Sequence, residues 1–538
     1  MKKLIVITGL VLCFSSVFAG GLLTNGNQSA QYIRMLSRNA STSPDAVYFN
    51  PAGLMRMENG FYFAVQSQSL FQTKTVESGF PLLNSGKYEG TLAAPIFPTA
   101  FAIYKKDKFA FSLGLGPNSG GGSITFDRGL PSFEKDISKL VPGLADLSKI
   151  GKTVSGYGVN IYFKGESVYW GIQGGVSYKV NDIFSVYGGL RYLPAKTTYN
   201  GYIKDIQVKV NGTLTNAKTF LQNDAAPLLT ASANSATGAA ASVQPLIAGG
   251  AGTLTLAQVQ GANYITAAQR TQLETGLLGL GATQAQINAM PLSTVQATFN
   301  SGAATLNGKA AALIATGNAL ADKAVDAEQT GTGITPILGL NISPNKNLNI
   351  GIKYEFKTKL TMTNATKVDD LKMFPDKEES ASDLPSILSI GADYNVSNAW
   401  KLSVSYNGYH DKGVDWGKNV YKEPRVIGYN TWEVALGTQY QVTKKFALSL
   451  GYLHTEMYIL EQFQSDFSYY SPANTVGGGF EWKATPKFTL DIGALYTKYH
   501  DSTKQFTDAA VGTYSETYKK SNLGFALGLA WHFGGMPK

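Results

Sequence analysis

The sequence predicts an all-β, 14-stranded antiparallel transmembrane β-barrel, and three observations carry that prediction. Fourteen stretches alternate large apolar residues with small or polar ones. Six very short turns join twelve of those stretches in pairs. The second parity is made of Gly, Ala, Ser, Asn, Asp and Glu, which is the wrong composition for the inner face of a soluble core. A strand sends successive side chains to opposite faces. In the last stretch Leu523, Phe525, Leu527, Leu529, Trp531 and Phe533 share one face, and Gly524, Ala526, Gly528, Ala530 and His532 share the other. A chain that is apolar outside and small or polar inside is what a barrel in a bilayer needs. A large soluble β-sandwich would show the same alternation, but the small inward face and the export signal described next count against it.

From the N-terminus, Lys2 and Lys3 precede an apolar run over residues 4–18, and Val17-Phe18-Ala19 before Gly20 has the form of a cleavage site. Residues 1–19 therefore read as a secretory signal peptide, to be left out of the fold. The single cysteine, Cys13, lies inside it, and Leu12 before it is too large for a lipoprotein signal. The mature chain then has no disulfides and takes its stability from ladder hydrogen bonds. Removing Lys2 and Lys3 lowers the net charge from +9 to +7. A mildly basic balance suits the acidic lipopolysaccharide surface, and the basic residues show no nucleic-acid pattern.

Residues 20–58 are not strand-like. They are expected to form an N-terminal hatch in the lumen, with the barrel running from 59 to 538. The first strand falls near residues 61–68. The short turns at 105–108, 181–182, 344–347, 395–398, 443–445 and 484–487 each follow a strand and open the next. Short turns are periplasmic and long loops external in such barrels, so an even strand count leaves both termini in the periplasm.

The third strand runs through Phe109, Phe111, Leu113 and Leu115, with Gly114 facing inward. It then meets Gly116, Pro117, Asn118, Ser119 and Gly120 to Gly122. Proline lacks the ladder donor and glycine weakens pairing, so the strand must kink, or else a loop begins at Pro117. Two outer loops are long, from about 117 to 165 and from about 195 to 333. No charged residue occurs between Asp224 and Arg270, and Leu306, Leu313 and Leu320 recur at seven-residue spacing. That is an amphipathic helical stripe. It either packs helices on one another or lines an external landing site for an apolar ligand.

Between Asp45 and Leu54 the hatch reads Asp-Ala-Val-Tyr-Phe-Asn-Pro-Ala-Gly-Leu. Here the chain resembles the FadL-like outer-membrane transporters of long-chain fatty acids and aromatic hydrocarbons. Asp45, Ala46, Asn50, Pro51, Ala52, Gly53 and Leu54 match that family's hatch motif. The resemblance covers the hatch, the strand count and the hairpin plan. The insert around 215–330 and the residues after Phe533 depart from it. It implies a passive, hatch-gated channel for hydrophobic small molecules, with Asp45, Asn50, Pro51, Ala52 and Gly53 at the gate. It also implies an inward kink at Gly114, Gly116, Pro117, Asn118 and Gly120 that lets ligand leave sideways into the membrane. Leu306, Leu313 and Leu320 would then belong to ligand capture. A monomer without cofactor or metal is expected.

Two rival readings are a surface adhesin using the long Ala/Thr-rich loop and an open porin for polar solutes. An enzyme is not expected, since no G-x-S-x-G occurs and the four histidines, His410, His454, His500 and His532, lack metal-ligand spacing.

Overall fold

The computed structural model describes residues 26–415, 426–457 and 459–534, in two compact units. The expected signal peptide lies outside the described residues.

The larger unit holds the barrel except for residues 154–160 and 204–210. Its strands are β1 (Gly60–Ser78), β2 (Lys87–Lys106), β3 (Phe109–Phe126), β4 (Val154–Lys179), β5 (Phe184–Val210) and β6 (Lys323–Ile342). Next come β7 (Leu348–Glu355, continued by Thr361–Asp369) and β8 (Glu379–Ala381, continued by Ile387–Asn395). The rest are β9 (Trp400–Tyr409), β10 (Trp432–Thr443), β11 (Phe446–Glu456), β12 (Ala473–Thr485), β13 (Phe488–Tyr499, continued by Ser502–Asp508) and β14 (Gly512–Gly534). Neighbours in sequence pair antiparallel, and β1 pairs with both β2 and β14, which closes the ring. Closure leaves no edge with unpaired amides in the bilayer. The fourteen strands and the six short turns are those the alternation predicts.

The two faces follow the parity. Leu436, Leu450 and Phe525 are about half exposed to the outside, while Ala435, Gly451 and Ala526 face the interior. Aromatic residues cluster at the short-turn end, where Phe61 meets Phe533, Phe63 meets Trp531, and Phe488 meets the same Trp531. Such girdles sit at the headgroup level.

The structure corrects three boundaries. β1 runs ten residues beyond residue 68. β3 does not stop at Pro117: it continues to Phe126, and β4 begins at Val154, well before 165. The insert expected at about 195–333 is shorter, because Ala195 pairs with Gly331 and Ile203 with Lys323. The reason is common to all three. Past the bilayer a ladder needs no lipid-facing apolar parity, so the strands continue where the pattern that reveals them fades.

The smaller unit contains residues 204–322, largely helical. Two long helices, Ala226–Ala248 and Leu292–Ala319, share one core with the shorter helices between them. Ala233, Ala236, Ala240 and Val243 recur at helical spacing and pack with Val295, Phe299 and Ala303. Three capping boxes, at Thr255/Gln258, Thr266/Gln269 and Thr283/Gln286, start the intervening helices. The predicted stripe lies in this packing. Leu313 and Leu320 are buried, and Leu306 packs against the helical core.

Candidate functional site: a hatch, a cavity and a gap in the wall

The hatch begins with a short helix, α1 (Ala30–Met35), capped by Ser29, whose hydroxyl accepts the Tyr32 amide. It ends in α2 (Ala46–Phe49) and a 3-10 turn, Pro51–Arg56. Nearly all of its residues are buried. The inward glycines of the barrel explain how it fits. A Cβ at Gly451 would stand 1.8 Å from the Met35 carbonyl oxygen, and one at Gly351 would stand 2.1 Å from that of Asn39. A Cβ at Gly391, Gly437 or Gly477 would stand 2.7, 2.8 or 2.4 Å from a hatch backbone atom. The small inward parity is thus the seat of the hatch.

The polar inward residues do a complementary job. Irregular backbone away from water must find hydrogen-bond partners. Gln173 Nε2 donates to the Val47 carbonyl at 2.6 Å, Lys353 Nζ to that of Tyr48 at 2.7 Å, Ser177 Oγ to that of Pro51 at 2.6 Å, and Ser185 Oγ to that of Ala52 at 2.8 Å.

Four residues of the hatch motif, Asp45, Asn50, Pro51 and Gly53, have distinct physical roles. Asp45 accepts from Arg38 Nε at 2.8 Å and Nη2 at 2.7 Å, from Ser41 Oγ at 2.6 Å and from Ser29 Oγ at 3.0 Å. Burial would raise its pKa, but Arg38 and the two hydroxyls outweigh burial and hold the carboxyl below its ordinary value. Asn50 Nδ2 donates to the Ser41 carbonyl at 3.1 Å and to Asn341 Oδ1 at 2.8 Å. Pro51 starts the 3-10 turn, where no amide is needed. Gly53 is required by contact, since a Cβ there would be 2.3 Å from Asn50 Nδ2.

Two buried ionic clusters tie the hatch to the wall, and the sequence reading missed both. Arg34 of α1 donates Nε to Asp491 at 2.9 Å, Nη2 to Glu481 at 3.1 Å and Nη1 to Gln439 at 2.8 Å. Arg191 pairs with Glu355 at 2.5 Å, Lys353 with Glu355 at 2.6 Å, and both cations face the Tyr48 ring, at 4.9 and 4.5 Å from its centroid. The available signal was an ionisable residue on the inward parity in mid-strand, which is costly unless paired and so marks a built site.

The kink is a gap. β2 and β3 pair from Ala100↔Leu115 down to Lys106↔Phe109, and again from Thr91↔Thr125 to Ala93↔Ser123. Between these runs the two strands are unpaired. Gly114 still belongs to the lower ladder, and Gly116, Pro117, Asn118 and Gly120 lie in the opening. On the other side of β3, Pro117 faces Trp170 and Gly122 faces Ser167, so β3 takes five steps where β4 takes three. β2 bulges too: Phe97 faces Gln68 and Ala94 faces Leu70. Surplus residues bow a strand and break its ladder. Pro95 and Pro98 sit on the β2 side of the opening, where they remove two more donors, and the sequence reading overlooked them. Gly120 and Gly121 have φ of +65° and +111°, which favours glycine. A Cβ at Gly121 would stand 2.5 Å from the Phe97 ring, so that ring lies directly against the kink. Gln28 of the hatch donates to the Pro117 carbonyl at 2.8 Å.

Hatch and gap border one cavity of about 380 Å³. Tyr32 and Leu36 of the hatch, Phe97 and Gly121 of the gap, and Leu453 and Leu495 of the far strands line it. Its volume and mostly apolar lining suit a small apolar ligand.

Comparison with known proteins agrees with this architecture. Residues 271–533 match the family model described as outer membrane protein transport protein (OMPP1/FadL/TodX). A Pseudomonas aeruginosa FadL homologue superposes with a TM-score of 0.55 at 13% identity, over 96% of this chain and 100% of that one. The Pseudomonas putida toluene transporter TodX superposes with a TM-score of 0.52 at 12% identity, over 96% and 100% of the two chains. No curated protein sequence matches. The fold and site define an outer-membrane transport barrel. Over residues 271–533, just under half of the chain, the protein is similar to the FadL/TodX outer-membrane transport proteins, and its barrel shares their fold.

Proposed function

We propose that the protein takes up hydrophobic small molecules from outside the cell, closes its lumen with the hatch, and releases ligand sideways between β2 and β3. The polar lipopolysaccharide leaflet is a poor solvent for such solutes. A barrel that captures them outside and delivers them to the membrane interior bypasses it. Binding draws on apolar burial, roughly 25 cal/mol per Å². Lateral release avoids re-exposing the ligand to water, at about 0.8 kcal/mol per CH₂. No energy source is needed if the solute is consumed inside.

The observation that carries this reading is the shared cavity: its wall includes the unpaired stretch of β2 and β3, and its other boundary is the hatch. The packed hatch counts against an open porin. Nothing in the helical unit favours the adhesin reading.

Cysteine staples test the route. A Cβ at Gly116 would lie 3.4 Å from that of Thr99, and one at Gly122 would lie 3.3 Å from that of Ala94. Both are close to the disulfide range of about 3.5–4.5 Å. Thr99→Cys with Gly116→Cys, and Ala94→Cys with Gly122→Cys, bracket the opening. Oxidised staples should block uptake of a labelled hydrophobic ligand into cells, and reduction should restore it. Full uptake by protein shown to be cross-linked at both ends would eliminate the lateral route.

A further inference from the structure

The wall is irregular in a second place, between β6 and β7. Their ladder pairs Ile337 with Glu355 and resumes with Thr332 opposite Thr361, so β7 takes six steps where β6 takes five. A surplus residue of this kind forms a bulge and re-aims the side chains beyond it. Here Phe356 and Lys357 are both exposed. The parity then runs shifted, with Thr358 and Leu360 buried and Lys359 exposed. In the alternation that buries Lys353 and Glu355, Lys357 and Lys359 would face the lumen. Pro336, opposite the bulge, brings no amide to the ladder, and its carbonyl accepts from the Phe356 amide. The strands stay close, since a Cβ at Gly333 would stand 2.5 Å from Thr358 Cγ2. The bulge is therefore a fold in a closed wall and not a second gap.

The two lysines, with Tyr192, Thr332, Gly333 and Ile334, line an open groove of about 630 Å³ on the outside of the barrel. Tyr192 pairs with Ile334 across β5 and β6, and both are exposed. The groove stands at the outer edge of the apolar band. Below it, Leu348, Ile350, Ile352, Tyr354 and Phe356 share the outward parity of β7, starting beside a short turn. The eight steps from Leu348 to Phe356, at about 3.3 Å each on a strand tilted by about 40°, climb about 20 Å. That is most of the roughly 25 Å apolar band of such barrels. Short turns are periplasmic, so the lysines lie at the level of the outer head groups. Lys357 is held by Asp383 at 3.0 Å and donates to the Gly413 carbonyl at 3.0 Å. Asp383 is itself buried and accepts the Leu360 amide. Among the described residues Lys359 has no ion-pair or hydrogen-bond partner. Lysines further out on β5 and β7 are treated otherwise: Lys196 pairs with Glu328 at 2.7 Å and Lys367 with Asp326 at 3.7 Å.

We propose that this groove seats one phosphorylated lipid of the outer leaflet, with its phosphate between Lys357 and Lys359 and an acyl chain along Ile334 and Phe356. A phosphate offers several acceptor oxygens to the two ammonium groups, and contacts between ionised partners are the stronger ones. Asp383 offsets only one of the two positive charges, which leaves the groove complementary to an anion. The apolar residues beside and below the lysines face hydrocarbon, where a tail belongs. The site lies on the outer surface and involves neither hatch nor gap, so it stands apart from the uptake reading.

The test uses the full-length protein in a non-ionic detergent and reads bound lipid by native mass spectrometry. The probes are lipid A, which is the phosphorylated anchor of lipopolysaccharide, a phosphate-free lipid A analogue with the same acyl chains, and inorganic phosphate. Lipid A should bind at least about tenfold more tightly than the analogue, the scale of a charge-assisted contact. Lys357→Gln with Lys359→Gln should abolish that preference, and Lys357→Arg with Lys359→Arg should keep it. Lys196→Gln with Lys367→Gln removes as much charge from the same side of the barrel and should keep it too. Each variant is compared only where the heat-dependent gel shift of the folded barrel is retained. Equal binding of lipid A and its analogue, or an undiminished preference in the Lys357/Lys359 glutamine variant, would overturn the site. Loss of the preference in both glutamine pairs would reduce it to general surface charge and overturn it as well. Displacement of lipid A by an equal concentration of inorganic phosphate would overturn the lipid and leave a site for the free anion.

Discussion

Asp45 shows how much a single side chain can hold. It is fully buried, it neutralises Arg38, and it gathers the hydroxyl donors of Ser29 and Ser41. Asp45→Asn would leave the Arg38 guanidinium buried without its counter-charge, a cost of about 3–5 kcal/mol in such settings. The hatch should loosen while the barrel persists. Bilayer recordings should then show raised ion conductance, with the heat-dependent gel shift of the folded barrel unchanged. The pH dependence has a definite sign. A carboxyl held below its ordinary value of 3.8 stabilises the fold fully above that value, and its contribution is lost as pH falls through the lowered one. Asp45 should therefore keep the hatch closed throughout the neutral and mildly acidic range. The Asp45-dependent part of the conductance should rise only below the ordinary carboxylate range. A conductance step near neutrality that disappears in Asp45→Asn would contradict this.

Gly451 makes the same point by contact. Gly451→Ala puts a methyl group 1.8 Å from the Met35 carbonyl oxygen, where neither the helix end nor the wall has room. Overpacking of this kind costs about 1–3 kcal/mol. Protease added from the periplasmic side should cut the hatch of this variant sooner than that of the unaltered protein.

At the scale of elements, the gap comes from surplus residues as much as from proline and glycine. Replacing Pro117 and its neighbouring glycines with Val or Thr would leave the extra residues in place, and at Gly120 and Gly121 would add strain at positive φ. The registers indicate what closure requires. Removing Pro95 brings β2 into step with β1. Removing Ser119 and Gly121 brings β3 into step with β4, and the two shortened stretches then match each other. With Pro98→Thr and Pro117→Val restoring donors, this variant should fold with a continuous wall. Ligand uptake should fall at least tenfold, as measured with a labelled substrate in cells. Unimpaired uptake through such a closed wall would favour passage past the hatch instead.

At the scale of the whole molecule, hatch and insert make separate predictions. Deleting the hatch residues up to Asn59 should raise bilayer conductance, because the lumen loses its packing while the closed ladder remains. Unchanged conductance would show that the hatch does not limit flow. Protease added to intact cells should cut within residues 211–322, as an external insert requires. Labelling of engineered cysteines there from the periplasmic side alone would reverse the orientation.

The sequence by itself determined the barrel. Parity is a local property, one residue against the next, and lipid on one face writes it into every strand. Turn chemistry at Asn181 or Pro344 is equally local, so strand number and hairpin plan could be read directly. The hatch motif was legible too, through Asn50-Pro51 and its resemblance to a known family. Tertiary structure decided the rest. That Gly451 lies under Met35, that Arg34 finds Asp491, and that Pro95 and Phe97 share an opening with Pro117 depend on register between strands and on what fills the lumen. The helical stripe at Leu306, Leu313 and Leu320 was visible as a period, but a period does not say which neighbour covers it. Lys74 and Lys520 lie far apart in the chain and meet because barrel closure places the first strand beside the last. A pairing of that kind belongs to no local pattern, so only the closed structure could reveal it.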